Sequence, residues 1–420
     1  MDRKKSRQPR AIADRPARGA GSLLYCDLTQ SWSEQGGGVR TYLLHKRQHI
    51  LERTPDRHLL IIPGAKDEVL EEGRAVTVTI ASRRVPGSPN YRLLLRNGAV
   101  RKVLERFRPD LIECQDAYNL PWTALAYRKR HPGTAVTAAY MTDFPTVYVD
   151  RPFSRVLGRQ LARQAARLCY AYVRRLYRRF DRVVALGEHG GAAKLRALGV
   201  ERIEVIGLGV DTHEFGPQRR DPELRKSLGL NDEQPLLIYV GRLDREKRPD
   251  VVVEAFRRLP SKLGAQLVLI GDGPLRGEIA ALEDGRIHMP GFISCRPGLS
   301  RWLASADIYV SAMADETFGV SIIEAQASGL PVVGVSAGAM IDRVPPNLGR
   351  LGPVGDSKAM ARNILDIWKC DHVTLARQAI AAAGRFDWNV VMAELFGGFY
   401  PRALDRREAA PEPRSAVAAA

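Results

Sequence analysis

Glu316-Thr-Phe-Gly-Val-Ser-Ile-Ile-Glu324 decides how the rest of the chain is read. It follows the apolar, β-branched run Ile308-Tyr-Val-Ser-Ala-Met313, whose composition predicts a buried strand, and it leads into Ser321–Ser328, whose spacing predicts a helix. Gly329 and Pro331 supply the helix stop. Strand, tight loop and helix start thus coincide. The backbone N–H groups of Phe318, Gly319 and Val320 are expected to point out of the loop as donors for phosphate or sugar oxygens. Glu316 at the mouth and Glu324 two turns in add carboxylates that accept hydrogen bonds from vicinal hydroxyls. Donors for anionic oxygens beside acceptors for hydroxyls describe a sugar-nucleotide site. An ordinary helix start fits the same residues, because Ser321-x-x-Glu324 is a capping-box pattern and a carboxylate near a helix N-terminus stabilises by itself.

Working outward, strand Leu236–Val240 runs into the loop Gly241-Arg-Leu-Asp-Arg-Glu-Lys247-Arg-Pro249, followed by helix Asp250–Arg258 and strand Gln266–Ile270. Arg242 and Lys247 flank a turn at a strand's carboxyl end. A forked guanidinium and a point-charge ammonium suit a diphosphate and can stabilise a departing nucleoside diphosphate without a metal. A solvated basic loop is the plain alternative. Gly271-Asp-Gly-Pro274 imitates a dinucleotide fingerprint, but Pro274 interrupts it and Gly277 arrives late, which disfavours a NAD site.

The N-terminal half has the same rhythm. Ser22–Asp27 predicts a strand, and Gly36-Gly-Gly-Val-Arg a Gly-rich loop opening a helix, where Gly37 and Gly38 allow close backbone approach to an anion, a plain surface turn being equally expected because the loop is not GxGxxG. Leu59–Pro63, Ala75–Ile80, Leu111–Cys114, Thr134–Tyr140, Arg182–Ala185 and Ile203–Ile206 read as strands, and Tyr91–Phe107 and Gly190–Leu198 as helical. Alternating strands and helices imply parallel sheets with ligands at the strands' carboxyl ends. Asp143, before Phe-Pro, lies at such an end, where a turn-forming Asp is equally expected.

Arg151 to Phe180 holds arginines at 151, 155, 159, 163, 167, 174, 175, 178 and 179 and no acid. The four-residue spacing makes a basic amphipathic helix that reads as a membrane-surface element; a solvated face on a core helix is the alternative, and nucleic-acid binding is a third reading.

The chain has 420 residues, which favours two domains, and 45% hydrophobic with 26% charged residues describes a globular protein. No apolar run reaches the ~18 residues of a transmembrane helix, and the first twenty residues lack a signal-like apolar core. Five scattered cysteines with no CxxC pair predict reduced thiols, a cytoplasmic location and no zinc site. A net charge of +17 attracts polyanions without choosing among them.

The residues together resemble the retaining GT-B glycosyltransferases of the glycosyl transferases group 1 family (family 4). Four pieces match in order: Gly-Val-Asp-x-x-x-Phe at 209–215, Val-Gly-Arg-Leu-x-x-Glu-Lys at 240–247, Ile-Gly-Asp-Gly-Pro at 270–274, and Glu-x7-Glu at 316–324. The resemblance implies an α/β protein with two Rossmann-like domains facing a central cleft, and a C-terminal helix crossing back to the first domain. The expected boundaries are a flexible basic tail over 1–20, an acceptor domain over 21–206 completed by helix 386–404, a junction over 207–217, a donor domain over 218–385 and a flexible tail over 405–420.

By the same resemblance Arg242 and Lys247 would hold the donor diphosphate, Glu324 the ribose, and Glu316 with the Phe318, Gly319 and Val320 backbone the transferred sugar. Gly37 and Gly38 would approach the phosphates, and Phe292 and Ile293 would sit by the base. The implied mechanism is transfer on the face the phosphate leaves, with retention, no metal and no cofactor, the nucleotide sugar being a substrate. The chain departs from the family pattern at Met141, where many relatives have His, so Asp143 becomes the candidate for touching the reacting sugar or acceptor. It departs again at Gly338-Ala-Met-Ile-Asp342, where Gly-Gly-x-x-Glu is usual.

The expected function is transfer of a sugar from a UDP- or GDP-sugar to a lipid-linked or polysaccharide-precursor acceptor. The expected place is the cytoplasmic face of a membrane, contacted through Arg155, Arg159, Arg163, Arg167, Arg174, Arg175, Arg178 and Arg179. No specific nucleic-acid partner is expected. Two other classes stay open: a nucleotide-sugar epimerase on a similar scaffold, and a non-catalytic basic protein binding membrane or nucleic acid.

Overall fold

The computed structural model describes residues 21–33, 37–85, 88–146, 158–282 and 284–405. Arg155 and the expected tails, Asp405 apart, lie outside the described residues. By contacts the chain divides into two units. The first holds the described residues up to Ala185, then Leu195–Glu204 and the stretch from Met392; the second holds Leu186–Lys194 and Val205–Val391. The short segment Leu186–Lys194 joins the second unit because Asp342 accepts the backbone N–H groups of His189 and Gly190. The C-terminal return to the first unit begins only at Met392, since Phe386 is held in the second unit by its carbonyl, which accepts from Val210 N, and by its ring against Phe318.

In the first unit the strands are β1 Leu24–Leu28, β2 Arg57–Gly64, β3 Glu68–Glu72, β4 Ala75–Ala81, β5 Arg83–Val85, β6 Ser88–Leu93, β7 Leu111–Cys114, β8 Ala135–Tyr140, β9 Arg182–Ala185 and β10 Ile203–Val205. The main sheet has the order β10-β9-β8-β7-β1-β2-β4-β3, with β1 parallel to β2 and β7. The His58-Leu-Leu-Ile-Ile-Pro run of β2 is buried throughout, as an inner parallel strand covered on both faces must be. Acidic β3 closes the edge antiparallel to β4, and its exposed Glu68, Glu71 and Glu72 discourage further pairing. That polarity hid it from the sequence reading. The helix expected over Tyr91–Phe107 is confined to Asn97–Phe107, because Ser88–Leu93 pairs with β5 as a hairpin.

A buried ionic cluster ties this unit together. Lys46, from helix Gly38–Arg53, places Nζ 2.8 Å from Asp27 Oδ1 and 3.3 Å from Glu113 Oε1, and all three side chains are 0% exposed. Burial alone would lower the Lys46 ammonium, but the two carboxylates outweigh it and hold it above its ordinary value. His58 Nε2 lies 2.7 Å from Asp27 Oδ2, and burial pushes this imidazole down to about 4. Tyr42 and Tyr400 donate their hydroxyls to the two oxygens of Glu113 at 2.8 and 2.9 Å. The C-terminal stretch is thereby fixed to the middle of the sheet.

In the second unit β11 Leu236–Val240, β12 Gln266–Ile270, β13 Ile287–Gly291, β14 Ile308–Val310, β15 Val332–Val335 and β16 Gly349–Gly352 pair in parallel, in the order β13-β12-β11-β14-β15-β16. Helices Pro249–Arg257 and Ser357–Trp368 bury Val252, Phe256, Met360 and Ile364 with Leu267, Leu269 and Val333 of the sheet. The strand order reverses between β11 and β14. Loops at such a switch diverge and leave a crevice at the strands' carboxyl ends. In the first unit the reversal falls between β1 and β7, where Gln30 N donates to Asp116 at 2.7 Å.

Candidate functional site

The two loops that flank the second unit's switch carry Arg242, Lys247 and Glu316. In the first, Gly241 N donates to Ile270 O, Leu243 N to Asp272 O and Leu275 N to Leu243 O, and the Tyr239 hydroxyl donates to Arg242 O at 2.8 Å. Gly271, at φ 141°, allows this approach, since a Cβ there would stand 1.9 Å from Gly241 O. The Gly271-Asp-Gly-Pro motif therefore supports the Arg242 loop and makes no dinucleotide fingerprint. Asp244 closes the turn by accepting from the N–H groups of Glu246 and Lys247, and helix Pro249–Arg257 follows.

Lys247 Nζ lies 3.0 Å from Glu316 Oε2. Arg242 is 69% exposed, with Nη2 3.1 Å from Asp244 Oδ2 and 3.3 Å from Glu246 Oε2. Arg242 is the more exposed of the two cations, while Lys247, 26% exposed, is engaged by Glu316.

The second loop ends at Gly319, the N-cap of helix Val320–Ala327, whose φ of 84° and crowding against Ile322 Cδ1 (2.5 Å from a built Cβ) require glycine. Phe318 is 1% exposed and packs on Phe386, while its N–H and that of Gly319 donate to the Glu316 carboxylate. Burial acts to raise Glu316, but the charge and hydrogen bond of Lys247 and these two N–H groups outweigh it and hold the carboxyl below its ordinary value. Val320 is half-buried at the helix start.

Glu324 is 3% exposed, and burial raises its carboxyl against the opposing charge of Arg296, whose Nη1 lies 2.7 Å from Oε1. Phe292, 74% exposed, and half-buried Ile293 lie between β13 and helix Arg296–Ser305.

Several contacts here escaped the sequence reading. Arg343 donates Nε to Phe318 O at 3.2 Å, donates Nη2 to Leu186 O, and lies 4.6 and 4.5 Å over the rings of Phe318 and Phe386. Asp342, at the departure from the family pattern, receives His189 through backbone N–H and ring Nδ1, the latter at 2.7 Å. Tyr309 hydroxyl lies 2.8 Å from Ser321 Oγ and 3.3 Å from Val240 O. No local spacing marks any of these pairs.

In the first unit Gly37 is the N-cap of helix Gly38–Arg53, with φ 117°, and both glycines are exposed. Asp143 follows β8. Its carboxylate is 6% exposed and accepts from the hydroxyls of Tyr140 (2.9 Å), Thr146 (2.8 Å) and Tyr170 (3.0 Å), so it anchors helix Arg159–Tyr177 through Tyr170. That helix carries exposed Arg163, Arg167, Arg174 and Arg175, with Arg178 and Arg179 just beyond it. Arg159 is its first residue. Leu161 and Leu168, 56% and 74% exposed, lie among the arginines. Arg175 and Arg179 stand 5.9 and 5.5 Å over the Trp122 ring. Among the described residues no helix is long and apolar enough to cross a membrane.

Residues 220–385 match the sequence pattern described as "Glycosyl transferases group 1", and residues 36–214 match that of "Glycosyltransferase Family 4". A GDP-mannose-dependent alpha-(1-6)-phosphatidylinositol dimannoside mannosyltransferase of Mycobacterium tuberculosis is 31% identical over 294 residues, 69% of this chain and 74% of that protein. A GDP-mannose-dependent alpha-mannosyltransferase of the same species is 29% identical over 392 residues, 89% of this chain and 95% of that protein. Among solved structures, sucrose-phosphate synthase from Thermosynechococcus elongatus has a TM-score of 0.72 at 19% identity, over 92% of this chain and 100% of that one. Anabaena HepE in complex with UDP and glucose has a TM-score of 0.65 at 18% identity, over 90% and 99%. At these identities the likeness carries the fold, two Rossmann-like domains of the GT-B type.

Proposed function

This chain belongs to the glycosyl transferases group 1 family, and from that premise we propose that it moves a sugar from a GDP- or UDP-sugar to a lipid-linked or polysaccharide-precursor acceptor, with retention and without a metal. GDP-mannose is the first donor to test, because the two mannosyltransferases named above are GDP-mannose-dependent. The observation that carries the reading is the Lys247–Glu316 contact of 3.0 Å at the strand-order reversal, with Arg242 exposed beside it and Glu324 in the helix that follows.

In this reading Arg242 and Lys247 take the diphosphate and Glu324 accepts from the ribose hydroxyls. Glu316, with the Phe318, Gly319 and Val320 backbone, meets the transferred sugar, and Phe292 and Ile293 border the base. Gly37 and Gly38 approach the phosphates from the helix they open. The acceptor oxygen bonds to the anomeric carbon as the bond from that carbon to phosphate oxygen breaks, and the acceptor proton passes to the departing phosphate. Two cations beside the leaving group supply the charge stabilisation that this step needs. The exposed arginines and leucines of helix Arg159–Tyr177 bring the enzyme to an anionic lipid surface, where a lipid-linked acceptor is found.

The test is a thermal-shift panel of GDP, UDP, ADP, NAD and short DNA on the wild type and Arg242→Ala. A ligand at a hundred times its Kd stabilises by roughly 2.7 kcal/mol, a shift of a few degrees. The expected result is a shift with GDP or UDP that Arg242→Ala loses, followed by sugar transfer to lipid acceptor in vesicles. A shift with DNA alone overturns the reading. Turnover of nucleotide sugar with no acceptor and no released nucleotide favours an epimerase instead.

A further inference from the structure

Arg296 is a cation that the transfer chemistry leaves unused. The two ends of its contact with Glu324 differ: the carboxylate side chain is 4% exposed, the guanidinium side chain 50%. The guanidinium Cζ lies 4.5 Å over the ring of Phe215, a flat face along which it can slide while keeping its cation–π attraction. Its approach to Glu324 is close but off the hydrogen-bond axis, so the buried Oε1 has no aligned donor. A vicinal diol and a guanidinium both offer paired donors, and one carboxylate edge cannot take both at once.

We propose that Arg296 is a displaceable counter-ion for Glu324: without nucleotide it holds the carboxylate charged and oriented, and the ribose diol takes its place when the donor binds. The inference rests on the reading of Glu324 as the ribose acceptor. Arg296 is then a positioning residue, acting on the nucleotide through the protonation state of Glu324. Burial is the larger influence on this carboxyl and raises it, and Arg296 is the cation that opposes burial. From β14, Tyr309 faces it with a phenol that burial keeps protonated, and the neighbouring ammonium of Lys247 is engaged by Glu316. With Arg296 removed, burial acts alone, the carboxyl takes up a proton, and one of its two oxygens becomes a donor where the ribose needs acceptors.

The experiment measures the Kd of GDP and of UDP by calorimetry on the full chain at intervals between about pH 8 and about pH 5.5. The variants are Arg296→Ala, Arg296→Lys, and Arg296→Ala combined with Glu324→Gln. The readout is the ratio of variant to wild-type Kd, which cancels the titration of the diphosphate itself. For Arg296→Ala this ratio should be at or below one at the alkaline end, where no arginine competes, and should rise about tenfold per pH unit once Glu324 protonates. Arg296→Lys restores a flat ratio, and the double variant, with no titrating group at this place, is flat as well. A flat ratio for Arg296→Ala overturns the inference, whether at one or at a constant loss, the latter meaning that the arginine touches the nucleotide directly. If the wild type binds neither GDP nor UDP, the nucleotide reading of the site falls and takes the inference with it; binding with an unaltered profile removes the inference alone.

Discussion

Lys247 and Glu316 are 69 residues apart in the chain, and their charged atoms are 3.0 Å apart across the reversal of strand order in the second unit. The contact joins the turn after β11 to the loop after β14 and leaves both charges mutually neutralised. An anionic ligand entering this place must compete with Glu316 for the ammonium and for the N–H groups of Phe318 and Gly319.

Glu316→Gln should therefore separate binding from turnover. With the carboxylate neutral, Lys247 is released for the diphosphate, and GDP or UDP should bind at least as tightly as to the wild type. Turnover should fall by about a hundredfold or more, the scale of losing one charged group at a reacting centre. Calorimetry and initial rates on one preparation check both halves; weaker nucleotide binding with unchanged kcat would contradict the assignment.

Acid stability should reveal the two opposed titrations of the first unit. His58 is lowered by burial from 6.5 to about 4, so the unfolded chain binds its proton first and stability is lost as pH falls from about 6.5 toward 4. Asp116 is raised by burial from 3.8 to about 6, so the folded chain binds its proton first and stability is gained as pH falls from about 6 toward 4. The two slopes have opposite signs over nearly the same window. Asp116→Asn removes the gain and should make the loss on acidification steeper than in the wild type. Urea midpoints at about pH 7, 6 and 5 measure it, and parallel curves would refute it.

Lys46→Met should destabilise by about 3–5 kcal/mol, because Asp27 and Glu113 stay buried without their shared cation. Tyr400→Phe removes one of two hydroxyls on Glu113 and should cost about 1–3 kcal/mol. The order of the two urea midpoints is the check. A larger effect for Tyr400→Phe would mean that the aromatic packing of Tyr400 on Tyr25, 5.4 Å between centroids, does not survive the change.

Replacing Arg163, Arg167, Arg174 and Arg178 by Gln should weaken co-sedimentation with anionic vesicles by roughly 4 kcal/mol, about a thousandfold, at about 1 kcal/mol per arginine. Wild-type binding should fall as salt rises, and Leu168→Ser should reduce the part that salt does not remove. Vesicle binding indifferent to both salt and lipid charge would assign this helix to another partner.

Much of the architecture was legible in the chain itself. Apolar β-branched runs such as Leu236–Val240, Gln266–Ile270 and Leu111–Cys114 fell within their strands because inner parallel strands are buried on both faces and their composition reports it. The glycine at 319 was readable for a similar reason, since a left-handed N-cap favours glycine, whereas Arg248 holds the same conformation before Pro249 without it. Where composition was ambiguous, as in acidic β3 and in Ser88–Leu93, pairing with a neighbouring strand decided the outcome.

The sequence by itself determined two α/β domains, the loops at the carboxyl ends of their strands, and the residue types that stand there. Only the tertiary structure decided which charge meets which. It set Lys247 on Glu316 and Arg296 on Glu324, and gave Asp143 to three hydroxyls. The physical reason is range. Strand and helix period, turn chemistry and burial act over a few residues and leave a pattern along the chain. An ion pair between two loops depends on strand order, and no local pattern encodes the distance between groups that the sheet alone brings together.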